Sequence, residues 1–208
     1  DSGPAIKEAN SLLTYFKPKK LSERDAGLFV SAIYNRVKPE IIVFDTDAPE
    51  IDLIGYRFEG VLVNTGGVRN RFGRNSNGPV INNGESADFF GSRSFLGPVI
   101  NNRKTRDWFG AYSKSNIINN GEAGNNFGAF TKDDGGHVIA ITEPEDYGYS
   151  SDMFGNLWTS GDLERAPELK HYVEELSKIT KSIKDDQSAK RFLERYGVRG
   201  EKIKPEIE

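Results

Sequence analysis

Phe-Gly pairs begin at Phe72, Phe90, Phe109 and Phe127, at spacings of 18, 19 and 18 residues. Around them the chain repeats itself: GPVINNGESADFFG at 78–91 is followed by GPVINNRKTRDWFG at 97–110, and Ile118, Asn119 and Asn120 open a third copy. A weaker copy starts at Val63, Asn64 and Thr65, and DMFGNLWTSG at 152–161 is a distant echo. The period is too short for helical-hairpin repeats, which need more than about thirty residues. It suits two short strands and two turns, a unit that cannot bury its apolar face alone and must stack on its neighbours.

Two architectures meet this requirement. One is a short parallel β-solenoid with one coil per repeat. In it Ile81, Ile100 and Ile118 are expected to stack inward beside a row of Phe90, Phe109 and Phe127, with Asn82, Asn101 and Asn119 forming an amide ladder at a corner. The other is a curled antiparallel meander or barrel. The fold class is accordingly mainly β with flanking helices, α+β overall, with about 10 strands. Asn77-Gly78, Asn83-Gly84 and Asn120-Gly121 mark turns, because Asn and Gly tolerate positive φ.

The sequence on either side divides the chain into a segment over 1–39 with one helix, a β-repeat domain over 40–161 and a helical segment over 162–208. In SERDAGLFVSAIYNRV, Ser22 is placed as the N-cap and Ala26, Phe29, Ile33 and Val37 recur at helical spacing, until Pro39 ends the helix. SLLTYF at 11–16 fits a short helix or a strand. EIIVFDT at 40–46, IDLIGYRF at 51–58, VLVN at 61–64 and HVIAIT at 137–142 read as strands, and DYGYSSDMFGNLW offers another. After Gly161, Leu169, Tyr172, Val173, Leu176, Ile179 and Ile183 describe a helix over 167–184 with Pro167 in its first turn. A second, shorter helix follows, capped by Ser188, with Phe192 and Leu193 inside and Gly197 as its C-cap. The stripe on the long helix needs cover, from the β domain or from the same helix of a second copy in a homodimer.

Twenty-two glycines and a mean hydropathy of −0.58 describe a polar chain, yet 13 Phe, 8 Tyr and 2 Trp supply a core. The net charge of −3 argues against a generally basic nucleic-acid binder. There is no cysteine, hence no disulfide and no thiolate chemistry. No stretch approaches a membrane-spanning length, and DSGPAIKEAN has no apolar signal-peptide core. An opening Asp1 fits a trimmed product or a fragment, and the reading leans to a secreted or cell-surface protein.

Residues 62–135 hold nine bases against six acids. Arg69, Arg71 and Arg74 surround Phe72, and Arg103, Lys104 and Arg106 precede Trp108. Arginine beside aromatics can hold sugar acids, phosphates or nucleic acid through its planar fork and by stacking. Arg103, Arg106, Trp108 and Tyr112 are therefore the candidate ligand-binding residues, with Phe130 and Trp158 as further stacking surfaces. If Arg69, Arg71 and Arg74 share their face, a polyanion or nucleic acid becomes the ligand.

Catalytic signals are sparse. Asp88 and Asp107 hold the same position in successive repeats, about 5 Å apart in a solenoid, close to the carboxylate separation of retaining glycosidases. Glu85 and Glu122 form a wider pair. His137 with Asp133 or Asp134 is the only triad-like option, and no nucleophile motif accompanies it. Asp45, Asp47, Glu50 and Asp52 crowd one turn as hard-cation ligands do. The EF-hand glycine is missing and Pro49 interrupts the loop, so a polar turn accounts for them. No cofactor is implied. The reading is a non-catalytic binding or structural module for a glycan or protein surface, with a carboxylate glycoside hydrolase and a polyanion binder as alternatives.

Overall fold

The computed structural model describes residues 11, 22–45, 47, 50–131, 137–142 and 156–196. The described residues form a parallel β-solenoid flanked by four helices. Each coil contributes one strand to a seven-stranded parallel sheet: β1 Ile41–Phe44, β2 Val61–Asn64, β4 Val80–Asn82, β6 Val99–Asn101, β7 Ile117–Asn119, β8 His137–Ala140 and β9 Asn156–Thr159. The register follows the repeat, with Asn64, Asn82, Asn101 and Asn119 paired in turn. A second side carries β3 Gly67–Val68 and β5 Glu85–Ser86, continued through Lys104 to Glu122 by single bridges. Among the described residues the third side has no strands and is built on the Phe-Gly turns. Most of SLLTYF, Lys132, Asp133, Asp134, most of DYGYSSDMFGNLW and Gly197 lie outside the described residues.

The inner face of the sheet is not the one the sequence suggested. Ile81, Ile100 and Ile118 point outward, and Leu62, Val80, Val99 and Ile117 point inward, onto Phe72, Phe90, Phe109 and Phe127. The cause is strand alternation. In Val80–Ile81–Asn82 the first and third residues share a face, so an inward Asn82 forces Ile81 out. The four phenylalanines are buried and stack coil upon coil, with ring centroids 5.3, 6.1 and 5.5 Å apart.

The outward isoleucines are covered by the C-terminal helices. Chain order after β9 is α2 Ser160–Leu163, α3 Pro167–Lys181 and α4 Asp186–Tyr196. Leu163, Leu169, Val173, Leu176, Ile183, Ala189 and Phe192 join Val61, Val63, Ile81, Ile100, Ile118 and Ile139 in one buried cluster. The helical stripe that a homodimer would use is thus spent on the chain's own sheet, on its face rather than at an end. Trp158 of β9 packs at the border of this cluster, which separates it from the other candidate aromatics. Asp185, not Ser188, occupies the cap position of α4: its carboxylate accepts from the Ser188 N–H at 2.8 Å, and the Ser188 hydroxyl oxygen accepts from the Asp185 N–H at 3.1 Å.

Helix α1, Glu23–Val37, is capped by Ser22, whose Oγ accepts from the Asp25 N–H at 3.2 Å. It closes the first coil. Tyr34 is buried against Phe58, and burial raises its phenol pKa far above the ordinary value. Ser31 Oγ accepts from the Tyr56 N–H at 3.0 Å. Gly27 looks like a weak point in the helix, but a Cβ there would sit 1.6 Å from the Asp52 carbonyl oxygen, so the close approach requires it. IDLIGYRF is not a strand. Ile54–Gly55 stands where the later coils have Phe-Gly: the Gly73 N–H donates to the Ile54 carbonyl at 2.8 Å, just as Gly91 does to Phe72.

Candidate functional site

Two corners and the surfaces beside them carry the candidate residues. At the first corner, just after the main strands, Asn64, Asn82, Asn101 and Asn119 are fully buried. The amides of Asn64, Asn82 and Asn101 each donate to the next Oδ1, at 2.8, 2.9 and 2.8 Å, and all four donate to a main-chain carbonyl one coil on, such as that of Lys104 at 3.0 Å from Asn82 and that of Thr142 at 2.8 Å from Asn119. A second row runs beside it. Asn102 donates to Asn83 at 2.8 Å and Asn120 to Asn102 at 2.9 Å, while the Asn83 amide donates to the Thr180 and Ile183 carbonyls, both at 2.7 Å. This second row pins the end of α3 to the solenoid. Its last oxygen, Asn120 Oδ1, is buried without a partner, because Ile141 replaces asparagine in the following coil.

Beside this corner an open groove of about 690 Å³ runs across the coils. Gly66, Gly84 and Gly121 form its floor, and Arg103 stands alone among them as the side chain of that column. The next column contributes Glu85, Lys104 and Glu122, with Lys104 and Glu122 paired at 3.3 Å. Asp47 and Thr142 line the groove as well. Both signs of charge are present, and among the described residues no aromatic ring enters.

The second corner is made by the Phe-Gly turns. The residue before each Phe and the residue three after it adopt φ between 58° and 62°, although none is glycine: Leu53, Arg71, Phe89, Trp108 and Asn126 in one column, Arg57, Asn75, Arg93, Tyr112 and Phe130 in the other. This conformation costs an ordinary residue about 1–2 kcal/mol. It is held by hydrogen bonds in both directions along the solenoid. The Phe89 and Trp108 N–H groups reach forward to Asp107 and Asn125, both at 2.9 Å, and Gly91 and Gly110 reach back to Phe72 and Phe90, at 2.8 and 2.9 Å.

Trp108 and Tyr112 are brought together here with Phe130, expected from the sequence as a further stacking surface, and with Phe89, which the sequence reading did not join to them. Phe89 stacks on Trp108 at 5.6 Å, Trp108 on Phe130 at 6.2 Å and Tyr112 on Phe130 at 4.7 Å, with planes 3–8° apart. The Arg93 guanidinium lies over the other face of Tyr112, 5.5 Å from its centroid. Trp108 is therefore stacked with Phe89 and Phe130, and Tyr112 lies between Phe130 and the Arg93 guanidinium. Arg103 sits on the other corner, away from this stack. Arg106 is exposed and makes no hydrogen bond or ion pair among the described residues.

The arginines expected to act together are divided. Arg69 pairs with Glu23, and Arg71 pairs with Asp52 at 3.3 Å. Arg74 adjoins Arg71 and Arg93, and its pKa is lowered, by partial burial first and then by those two like charges. Asp52 has its pKa raised by burial, against the opposing effect of Arg71. Asp45 and Asp47 stand in the same acidic turn, and among the described residues no group of three or more potential metal ligands converges.

Asp88 and Asp107 are engaged structurally. Asp88 Oδ1 accepts from the Asp107 N–H at 3.3 Å, and Asp107 Oδ1 accepts from the Asn125 N–H at 2.9 Å. Asn70 does the same for Asp88 at 3.1 Å, so an amide serves this position as well as an acid. His137 is half-buried, which lowers its pKa. No described helix is long and apolar enough to cross a membrane. No family model, no curated protein and no solved structure matches this chain.

Proposed function

We propose that the protein is a non-catalytic binding module that holds a surface-displayed glycan in the groove beside the asparagine corner. The observation that carries this reading is the groove itself, which spans successive coils, has a glycine floor and presents Arg103, Lys104, Glu85 and Glu122. A glycine floor exposes peptide groups to a ligand. Carboxylates accept from sugar hydroxyls, and guanidinium and ammonium groups donate to them. The mixed charge suits a neutral or weakly acidic chain better than a strong polyanion. The glycan reading draws nothing from Trp108 and Tyr112, because sugar stacking needs an open ring face and theirs are stacked with Phe89, Phe130 and Arg93. Hydrolysis by Asp88 and Asp107 is disfavoured by their place in the main-chain ladder.

The test is a panel of neutral and uronic-acid oligosaccharides, followed by titration calorimetry on any ligand found. Arg103→Ala should weaken binding at least tenfold while leaving the melting temperature unchanged, since Arg103 is exposed. Full affinity in that variant would reject the groove. Release of cleaved product, abolished by Asp107→Asn, would reject the non-catalytic reading.

A further inference from the structure

One irregularity among the Phe-Gly repeats has a location. Phe90 and Val99 are nine residues apart, where Phe72 and Val80, and Phe109 and Ile117, are eight apart. The additional residue falls on the third side, and there Phe95 and Leu96 stand 41% and 58% exposed. They are two of the most exposed large apolar side chains described, and they belong to no core cluster.

The same side is basic. Residues 53–60, 71–78, 89–97, 108–116 and 126–131 carry Arg57, Arg71, Arg74, Arg93 and Lys114 against Glu59, with Arg71 paired to the adjoining Asp52. The helical layer, residues 160–196, balances eight bases with eight acids. Arg57 and Arg93 are exposed, lie over the rings of Tyr56 and Tyr112, and have no acidic partner among the described residues. A positive side on a chain of net charge −3 attracts an anionic surface only when this side faces it.

We propose that the third side of the solenoid docks on an anionic lipid surface, with Phe95 and Leu96 entering the headgroup region and Arg57, Arg74 and Arg93 held by the lipid phosphates and carboxylates. The chemistry is that of peripheral attachment, in which buried apolar area adds to attraction by basic groups. Two features select a bilayer over the other anionic partners. The apolar pair protrudes from the coil instead of lining a socket, so it suits a soft medium that closes around it. The neighbouring rings are already stacked on one another, in competition with the bases of a single-stranded nucleic acid.

The experiment is co-sedimentation of the full chain with vesicles of phosphatidylcholine alone, or with about 30% phosphatidylserine, at low and high salt. Retention should require the anionic lipid and fall with salt. Arg57→Gln and Arg93→Gln should each lower partitioning about fivefold. Phe95→Ser with Leu96→Ser should lower it further, and because both side chains are exposed, circular dichroism and the melting temperature should stay unchanged. Equal retention on neutral vesicles, or no retention at all, would overturn the proposal. So would vesicle retention indifferent to Phe95→Ser/Leu96→Ser. If poly-glutamate competed fully and bound that variant as well as the parent, the side would belong to an acidic protein partner and the lipid assignment would fall. Arg103→Ala should leave vesicle retention unaltered, which keeps this result separate from that of the groove.

Discussion

At the corner after each main strand, the side chains of Asn64, Asn82, Asn101 and Asn119 turn inward and hold the coils together by hydrogen bonds. At the corner of the Phe-Gly turns, the backbone does that work, and the side chains before each Phe, from Arg71 to Asn126, are only partly buried. The consequence shows within this one chain. The first position is asparagine four times in succession, whereas the positive-φ column holds Leu53, Arg71, Phe89, Trp108 and Asn126. A corner built from side chains fixes residue identity. A corner built from backbone leaves identity open, so surface chemistry can vary there from coil to coil.

Substitution should separate the two corners. The largest effect is expected for Asn101→Ala. It removes the donor to Asn119 Oδ1 and to the Glu122 carbonyl, and the acceptor for the Asn82 amide and the Arg103 N–H. Unsatisfied buried groups cost about 1–3 kcal/mol each, so a loss of about 4 kcal/mol in denaturant titration is expected; a loss below about 1 kcal/mol would show that the ladder does not hold the coils together. Gly91→Ala tests the backbone of the other corner. Its φ is 61° and a Cβ would lie 2.2 Å from Val99 Cγ1, so strain and crowding together should cost about 3 kcal/mol. The smallest effect, and the sharpest contrast, is Asn126→Gly. Relief of the left-handed conformation and removal of the buried, unpartnered Asn126 Oδ1 oppose the entropy glycine adds to the unfolded chain. Stability should change by less than about 0.5 kcal/mol, and a loss as large as that of Asn101→Ala would erase the distinction.

What the sequence made legible follows the same division. The phenylalanine row and the asparagine ladder were readable because their residue types recur and their burial leaves few alternatives. The direction of Ile81, Ile100 and Ile118 was not, because Val80 and Ile81 are both apolar and only the inward hydrogen bonding of Asn82 decides which of them faces the core. Ile54–Gly55 was hidden by its resemblance to strand residues, since an isoleucine fills the place of a phenylalanine. For the candidate site, Arg103 was picked out as a base preceding Trp108, but its place in a glycine column at the other corner was not foreseen, because strand register sets which column it joins. That Trp108 and Tyr112 are sandwiched by Phe89, Phe130 and Arg93 depends on left-handed backbone at non-glycine residues, which carries no local sequence signal. Phe95 and Leu96 were overlooked because the one-residue change in period looked like tolerance in the repeat.

A solenoid whose coils touch only their neighbours can open from either end, one coil at a time. Here α2 adjoins β9 at one edge of the sheet and α4 reaches β1 at the other, with α3 fastened between them through Asn83 and Asn102. The helices act as a strap from the last coil to the first. Fraying of a terminal coil loosens the strap, and loss of the strap exposes the outward isoleucines of every coil between. The strap thus turns a zipper into a latch: pulled along its axis, the array should release as one unit instead of yielding repeat by repeat.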